Sequence, residues 1–116
     1  MTLANSLGLS VDFLENGAVK DIMAHPIRIS MKPATPYSRN GTNIYLRKRS
    51  ETIEFIPLIG PGSNNLFAIT SEAFFARGNW NGIDYSCTLR LSERSYSWEW
   101  NIEIVVNSDE ETELDL

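Results

Sequence analysis

Ile83-Asp84-Tyr85-Ser86-Cys87-Thr88-Leu89-Arg90-Leu91 alternates apolar and polar residues without a break. After a short polar interval, Tyr96-Ser97-Trp98-Glu99-Trp100-Asn101-Ile102-Glu103-Ile104-Val105-Val106 resumes the beat. A period of two puts Ile83, Tyr85, Cys87, Leu89 and Leu91 on one face of a strand and the polar residues on the other. Two such strands in succession predict an antiparallel sheet with one buried face. Alternation returns at Glu113-Leu114-Asp115-Leu116, where the sequence stops. That ending reads as a strand interrupted near its start, and so as an N-terminal piece of a larger protein.

The pattern extends toward the N-terminus. Leu7, Leu9, Val11 and Phe13 alternate with Gly8, Ser10 and Asp12, and Asn16-Gly17 follows, the strongest short hairpin signal. Ala18 to Met23 supplies the return strand. His25-Pro26 interrupts it, because proline donates no ladder hydrogen bond and pushes its predecessor into extended backbone. Ile27, Ile29 and Met31 then alternate with Arg28, Ser30 and Lys32. Pro33 to Gly41 reads as a loop, Asn43 to Arg49 and Thr52 to Leu58 as strands, and Leu66 to Arg77 as one long extended stretch. Gly78-Asn79-Trp80-Asn81-Gly82 reads as the turn into the decisive strands. No window holds a helical period over three turns. The expectation is one all-β domain over residues 1–116, an antiparallel β-sandwich of about eight strands, favoured over a barrel.

Composition narrows the function. Of 15 acidic residues, five fall in the last ten positions (Asp109, Glu110, Glu111, Glu113, Asp115), and the other ten balance ten lysines and arginines. The body of the domain is therefore neutral, which argues against a nucleic-acid partner. Cys87 is the only cysteine and sits on an apolar strand face, as a small hydrophobe would. One cysteine and one histidine, His25, cannot assemble a four-ligand zinc site. No glycine-rich loop opens a helix to cradle phosphate. Glu99 and Glu103 share a polar strand face and read as solvated positions. No catalytic residue, metal site or cofactor is expected. With no leader segment recognisable in the sequence, a reduced, cytoplasmic setting is the expectation.

Three features can bind. Tyr96, Trp98 and Trp100 form an aromatic stripe, either a sandwich core or a platform for the apolar faces of sugar rings. Trp80, flanked by Asn79 and Asn81 and joined by Tyr37 from another loop, can stack on a ligand while the amides bond its hydroxyls; the alternative is a plug closing one end of the sandwich. Asn43, Tyr45 and Arg47 line one face of a strand that follows Gly41. The candidate ligand residues are Trp80, Asn79, Asn81, Tyr37 and Arg47.

The Asn16-Gly17 hairpin, Gly41-Thr42-Asn43-Ile44-Tyr45-Leu46-Arg47, Gly78-Asn79-Trp80-Asn81-Gly82-Ile83-Asp84-Tyr85 and Glu113-Leu114-Asp115-Leu116, in that order, are similar to a known pattern. The chain resembles the N-terminal β-sandwich domain of the cellobiose and 1,2-β-oligoglucan phosphorylases and of the cyclic β-1,2-glucan synthetases. The resemblance implies a truncated sandwich of the galactose-mutarotase-like kind that packs on a C-terminal catalytic barrel of the parent chain and shapes its sugar cleft. It implies a parent that is a glycoside phosphorylase or glycosyltransferase, with β-glucan as a possible ligand. A stand-alone carbohydrate-binding sandwich is the second reading. A β-edge assembly domain is the third, with Glu113 to Leu116 pairing to a second copy as a homo-oligomer.

Overall fold

The computed structural model describes residues 1–30, 32–38, 42–107, 109 and 111–116. The described residues contain no helix; they form eleven strands in three antiparallel sheets, the all-β, sandwich-like architecture expected. Met31 and Gly41, both part of the patterns above, lie outside the described residues.

The first sheet holds β1 (Thr2–Ala4), β2 (Leu9–Phe13), β3 (Val19–Ala24) and β4 (Ile27–Arg28) in that order. The Asn16-Gly17 turn joins β2 to β3, with the Asn16 side-chain oxygen accepting from the Ala18 amide at 3.1 Å. Gly17 has a φ of 81° and lies so close to Phe67 that a Cβ would stand 2.9 Å from the ring. Positive φ and lack of space both demand glycine there. A second sheet orders β11 (Glu113–Asp115), β5 (Tyr45–Arg49) and β6 (Glu54–Pro57). The third and largest orders β10 (Trp98–Val106), β9 (Ile83–Leu91), β8 (Ala73–Trp80) and β7 (Asn65–Ile69).

One face of the large sheet serves both smaller ones. Phe74, Ala76, Cys87 and Leu89 meet Leu3, Leu9, Val11, Phe13, Val19 and Ile22 of the first sheet in one apolar cluster. Phe13 stacks on Phe74 with ring centroids 4.5 Å apart, and Trp100 approaches Phe74 edge-on at 6.5 Å. Farther along the same strands, Ile83 and Tyr85 meet Leu46, Ile56 and Leu58 in a second cluster. Ile102 packs against both. The alternation in β9 is thus a single apolar stripe divided between two cores.

The structure departs from the expected strand map where a local hydrogen bond outweighs alternation. The stretch from Leu66 to Arg77 is two strands. The Thr70 hydroxyl accepts from the amides of Glu72 and Ala73 at 3.2 and 3.1 Å, folding the chain back after Ile69. Gly78, Asn79 and Trp80 belong to β8, and the turn contracts to Asn81-Gly82, with φ of 51° and 78°. β2 starts at Leu9 because the Asn5 side-chain oxygen accepts from the Leu7 and Leu9 amides and holds the chain in a turn. Tyr96 falls outside β10, and its hydroxyl donates to the Leu7 carbonyl at 2.9 Å. Trp98 and Trp100 are half-buried against the first core, so these two rings of the stripe are packing material, while the Tyr96 ring stays exposed.

Candidate functional site

The β8–β9 hairpin carries three of the five candidate residues. Trp80 closes β8 opposite Ile83, and it packs on the second core, as Ile104 and Leu114 also do. Asn79 stands on the opposite face of the sheet, where its amide donates to Asp84 Oδ1 at 2.8 Å. The Asn107 amide donates to the other oxygen of the same carboxylate at 2.5 Å. Asn79 and then Asn107, bonding the charged form, hold Asp84 below the usual carboxylate range. Asn81 is a turn residue in the left-handed region, a conformation asparagine tolerates.

Arg47 sits elsewhere, on the outer face of the second sheet. Its guanidinium grips Asp115 through Nε–Oδ1 and Nη2–Oδ2 contacts of 2.7 and 2.6 Å, a bidentate clamp between cross-strand partners of β5 and β11. Hydrogen bonding and charge from Arg47 lower the Asp115 pKa. Arg49 lies 3.9 Å from Glu113 and 3.8 Å from Asp115, extending the clamp along β11. Tyr45 shares the outer face, its ring 5.9 Å from that of Phe55. Asn43 does not: it precedes β5 and donates to the Ile59 carbonyl at 3.0 Å. Tyr37 is 99% exposed in a turn whose backbone is tied to Thr35, and it covers none of the other candidates. The hairpin trio, Arg47 and Tyr37 thus occupy three separate places.

The outer face of the large sheet holds what the sequence left unmarked. Leu66, Arg77, Ser86 and Glu103 are successive cross-strand partners in β7, β8, β9 and β10. They line an open depression of about 570 Å³, with Asn79, Asp84 and Val105 at one end. A second of about 470 Å³ continues it past Phe75 and Thr88 and shares Leu66, Arg77 and Ser86. Arg90 lies over the Phe75 ring, 5.9 Å from its centroid. Of the five candidates only Asn79 reaches this surface. Its signal in the sequence was the polar half of each alternation, indistinguishable there from ordinary solvated positions.

Cys87 is buried in the first core, where desolvation pushes its thiol up to about 12. It is a packing residue at neutral pH.

A family model described as the SOGP N-terminal domain matches residues 12–116. No curated protein matches the chain. The family match corrects the assignment drawn from the sequence. It is to the SOGP N-terminal domain, and it gives no support to the N-terminal domain of a glycoside phosphorylase or cyclic β-1,2-glucan synthetase. The carbohydrate-active function and the sugar-enzyme parent inferred from that resemblance are set aside with it. The motifs that carried the resemblance are turns and short alternating strands, which recur wherever antiparallel sheets do. The chain belongs to the SOGP N-terminal domain family.

Proposed function

We propose that this chain is a non-catalytic structural domain that packs against the following part of its own protein through the outward side of β11. The observation that carries the reading is the Arg47–Asp115 clamp. Strand β11 is three residues long, and a strand so short pairs weakly by its backbone alone. Two guanidiniums, Arg47 and Arg49, fasten it to β5, while Leu114 anchors it in the second core. Its other side is the edge of the sheet among the described residues. Open edges are templates for strand addition, and main-chain hydrogen bonds across them give affinity without a dedicated pocket. The family's description as an N-terminal domain supports a continuation that could provide the added strand.

Hydrogen exchange on the intact protein tests this. The outward amides of β11 are expected to exchange far more slowly than those of β6, the opposite edge of the same sheet. Equal exchange at the two edges would overturn the reading. Protection at β11 that grows with protein concentration would reassign the edge to a second copy.

A further inference from the structure

Strand β10 is the longest exposed edge among the described residues. It runs nine residues, Trp98–Val106, and pairs only with β9. Edge strands in natural proteins are kept short, or carry proline, lysine or a bulge. Its only charges are Glu99 and Glu103 on the outer face: no proline, glycine or lysine interrupts it, and its register with β9 is continuous from Trp98↔Leu91 to Val106↔Ile83. Its inward residues Trp98, Trp100, Ile102 and Ile104 are only half-buried, and Val106 is 37% exposed. The core therefore runs out along this strand while apolar surface and backbone donors remain.

We propose that β10 pairs antiparallel with β10 of a second copy of this chain, about a twofold axis at Ile102, joining the two large sheets into one. The register follows from the residues. Centred on Ile102, the whole strand is paired. Trp98 faces Val106 of the second copy, Trp100 faces its Ile104, and Ile102 faces Ile102, so the inner layer continues unbroken across the axis. On the outer face Glu99 stands opposite Val105 of the second copy, and Asn101 opposite its Glu103, an amide against a carboxylate.

Neighbouring registers fail. Pairing must keep inward residues opposite inward ones, so the strand shifts only in steps that preserve the face. Centring on Asn101 sets Glu99 against Glu103, and centring on Glu103 sets the two Glu103 carboxylates together; like charges directly opposite are destabilising. Centring on Trp100 or Ile104 cuts the ladder to little more than half its length. The charge pattern thus selects the one register that also pairs every residue. This interface is independent of the β11 reading, since it uses a different sheet.

Asn101 is exposed and touches neither core, so its substitution tests the register without disturbing the fold. Sedimentation equilibrium on the protein is expected to show a concentration-dependent dimer. N101E places two new carboxylate pairs across the axis and raises the dissociation constant roughly 2- to 30-fold. N101K, facing Glu103, lowers it, and both variants keep the wild-type melting temperature when melted at concentrations low enough to leave each protein monomeric. A protein that stays monomeric at every concentration would overturn the proposal. So would N101E and N101K moving the dissociation constant in the same direction, or neither moving it.

Discussion

Tyr85 stands directly across the β8–β9 ladder from Gly78, and its hydroxyl fills the place where a side chain at position 78 would go. A Cβ on residue 78 would come 2.6 Å from the Tyr85 hydroxyl and 2.6 Å from the Asn64 carbonyl oxygen. The second contact is with backbone and cannot be relieved by a rotamer change. Gly78→Ala is therefore expected to cost about 1–3 kcal/mol, the usual range for overpacking. Urea unfolding checks it; a loss within roughly 0.5 kcal/mol of zero would show that the backbone at Asn64 yields freely.

The same tyrosine carries an unusual burden. It is 2% exposed, and its hydroxyl has no hydrogen-bond partner among the described residues. An unsatisfied buried hydroxyl costs on the order of 1–3 kcal/mol, so Tyr85→Phe is expected to stabilise the fold by about 1 kcal/mol. Combined with Gly78→Ala, it should recover part of that variant's loss. A destabilised Tyr85→Phe protein would argue that the hydroxyl is satisfied in solution.

Raising the pH above about 9 should weaken the fold. Burial raises the Cys87 thiol from 9.0 to about 12 and raises the Tyr85 hydroxyl as well. In the unfolded chain the thiol ionises near its ordinary value, so the native preference for its protonated form is fully present below pH 9. It is lost progressively as pH rises from 9 toward 12. Denaturation midpoints measured from pH 8 to 11 should fall, and more steeply for wild type than for Cys87→Ala. Parallel slopes in the two proteins would remove the thiol from the account.

The Arg47–Asp115 clamp makes the opposite demand. The Asp115 pKa is lowered from 3.8, chiefly by the hydrogen bonds from Arg47, so its contribution is present above the ordinary carboxylate range and is lost as pH falls through the depressed value. Asp115→Asn at neutral pH should reproduce that loss, with hydrogen exchange rising at Glu113 and Leu114 while the large sheet is unchanged. Unaltered exchange in β11 would mean that Leu114 alone holds the strand.

Trp80 is expected to behave as a packing residue. Its indole contributes to the second core, so Trp80→Ala should cost about 2–4 kcal/mol in thermal or chemical unfolding. Asn81→Gly, at a position already in the left-handed region, should change stability by no more than about 0.5 kcal/mol. A Trp80→Ala protein as stable as wild type would free that side chain for a binding role.

Alternation made the large sheet legible: Ile83 to Leu91 form β9 with the bounds its pattern gives. The Asn-Gly pairs were legible as turns because each has one local conformational reason. Strand β1 was not, since three residues show no period, and the turn after Ile69 was hidden because Thr70 makes it with a side-chain oxygen that alternation does not encode. The candidate ligand residues were chosen as aromatic and amide groups in loops. Trp80 instead lies in a strand and Arg47 is engaged by Asp115, a partner 68 positions away that no local reading could supply. The rung from Leu66 to Glu103 depends on the register of four strands, which exists only once the sheet has formed.

Because β9 gives Cys87 and Leu89 to one core and Ile83 and Tyr85 to the other, neither half can be lost in isolation. Melting the first sheet would strip the support from the strands on which the second rests, and Ile102, packed against both cores, would lose its neighbours in the first. Calorimetry on this chain should accordingly give one transition, with van't Hoff and calorimetric enthalpies in agreement. Injury to either end of the spine would be felt at the other, and evolution would have to tune the two ends together.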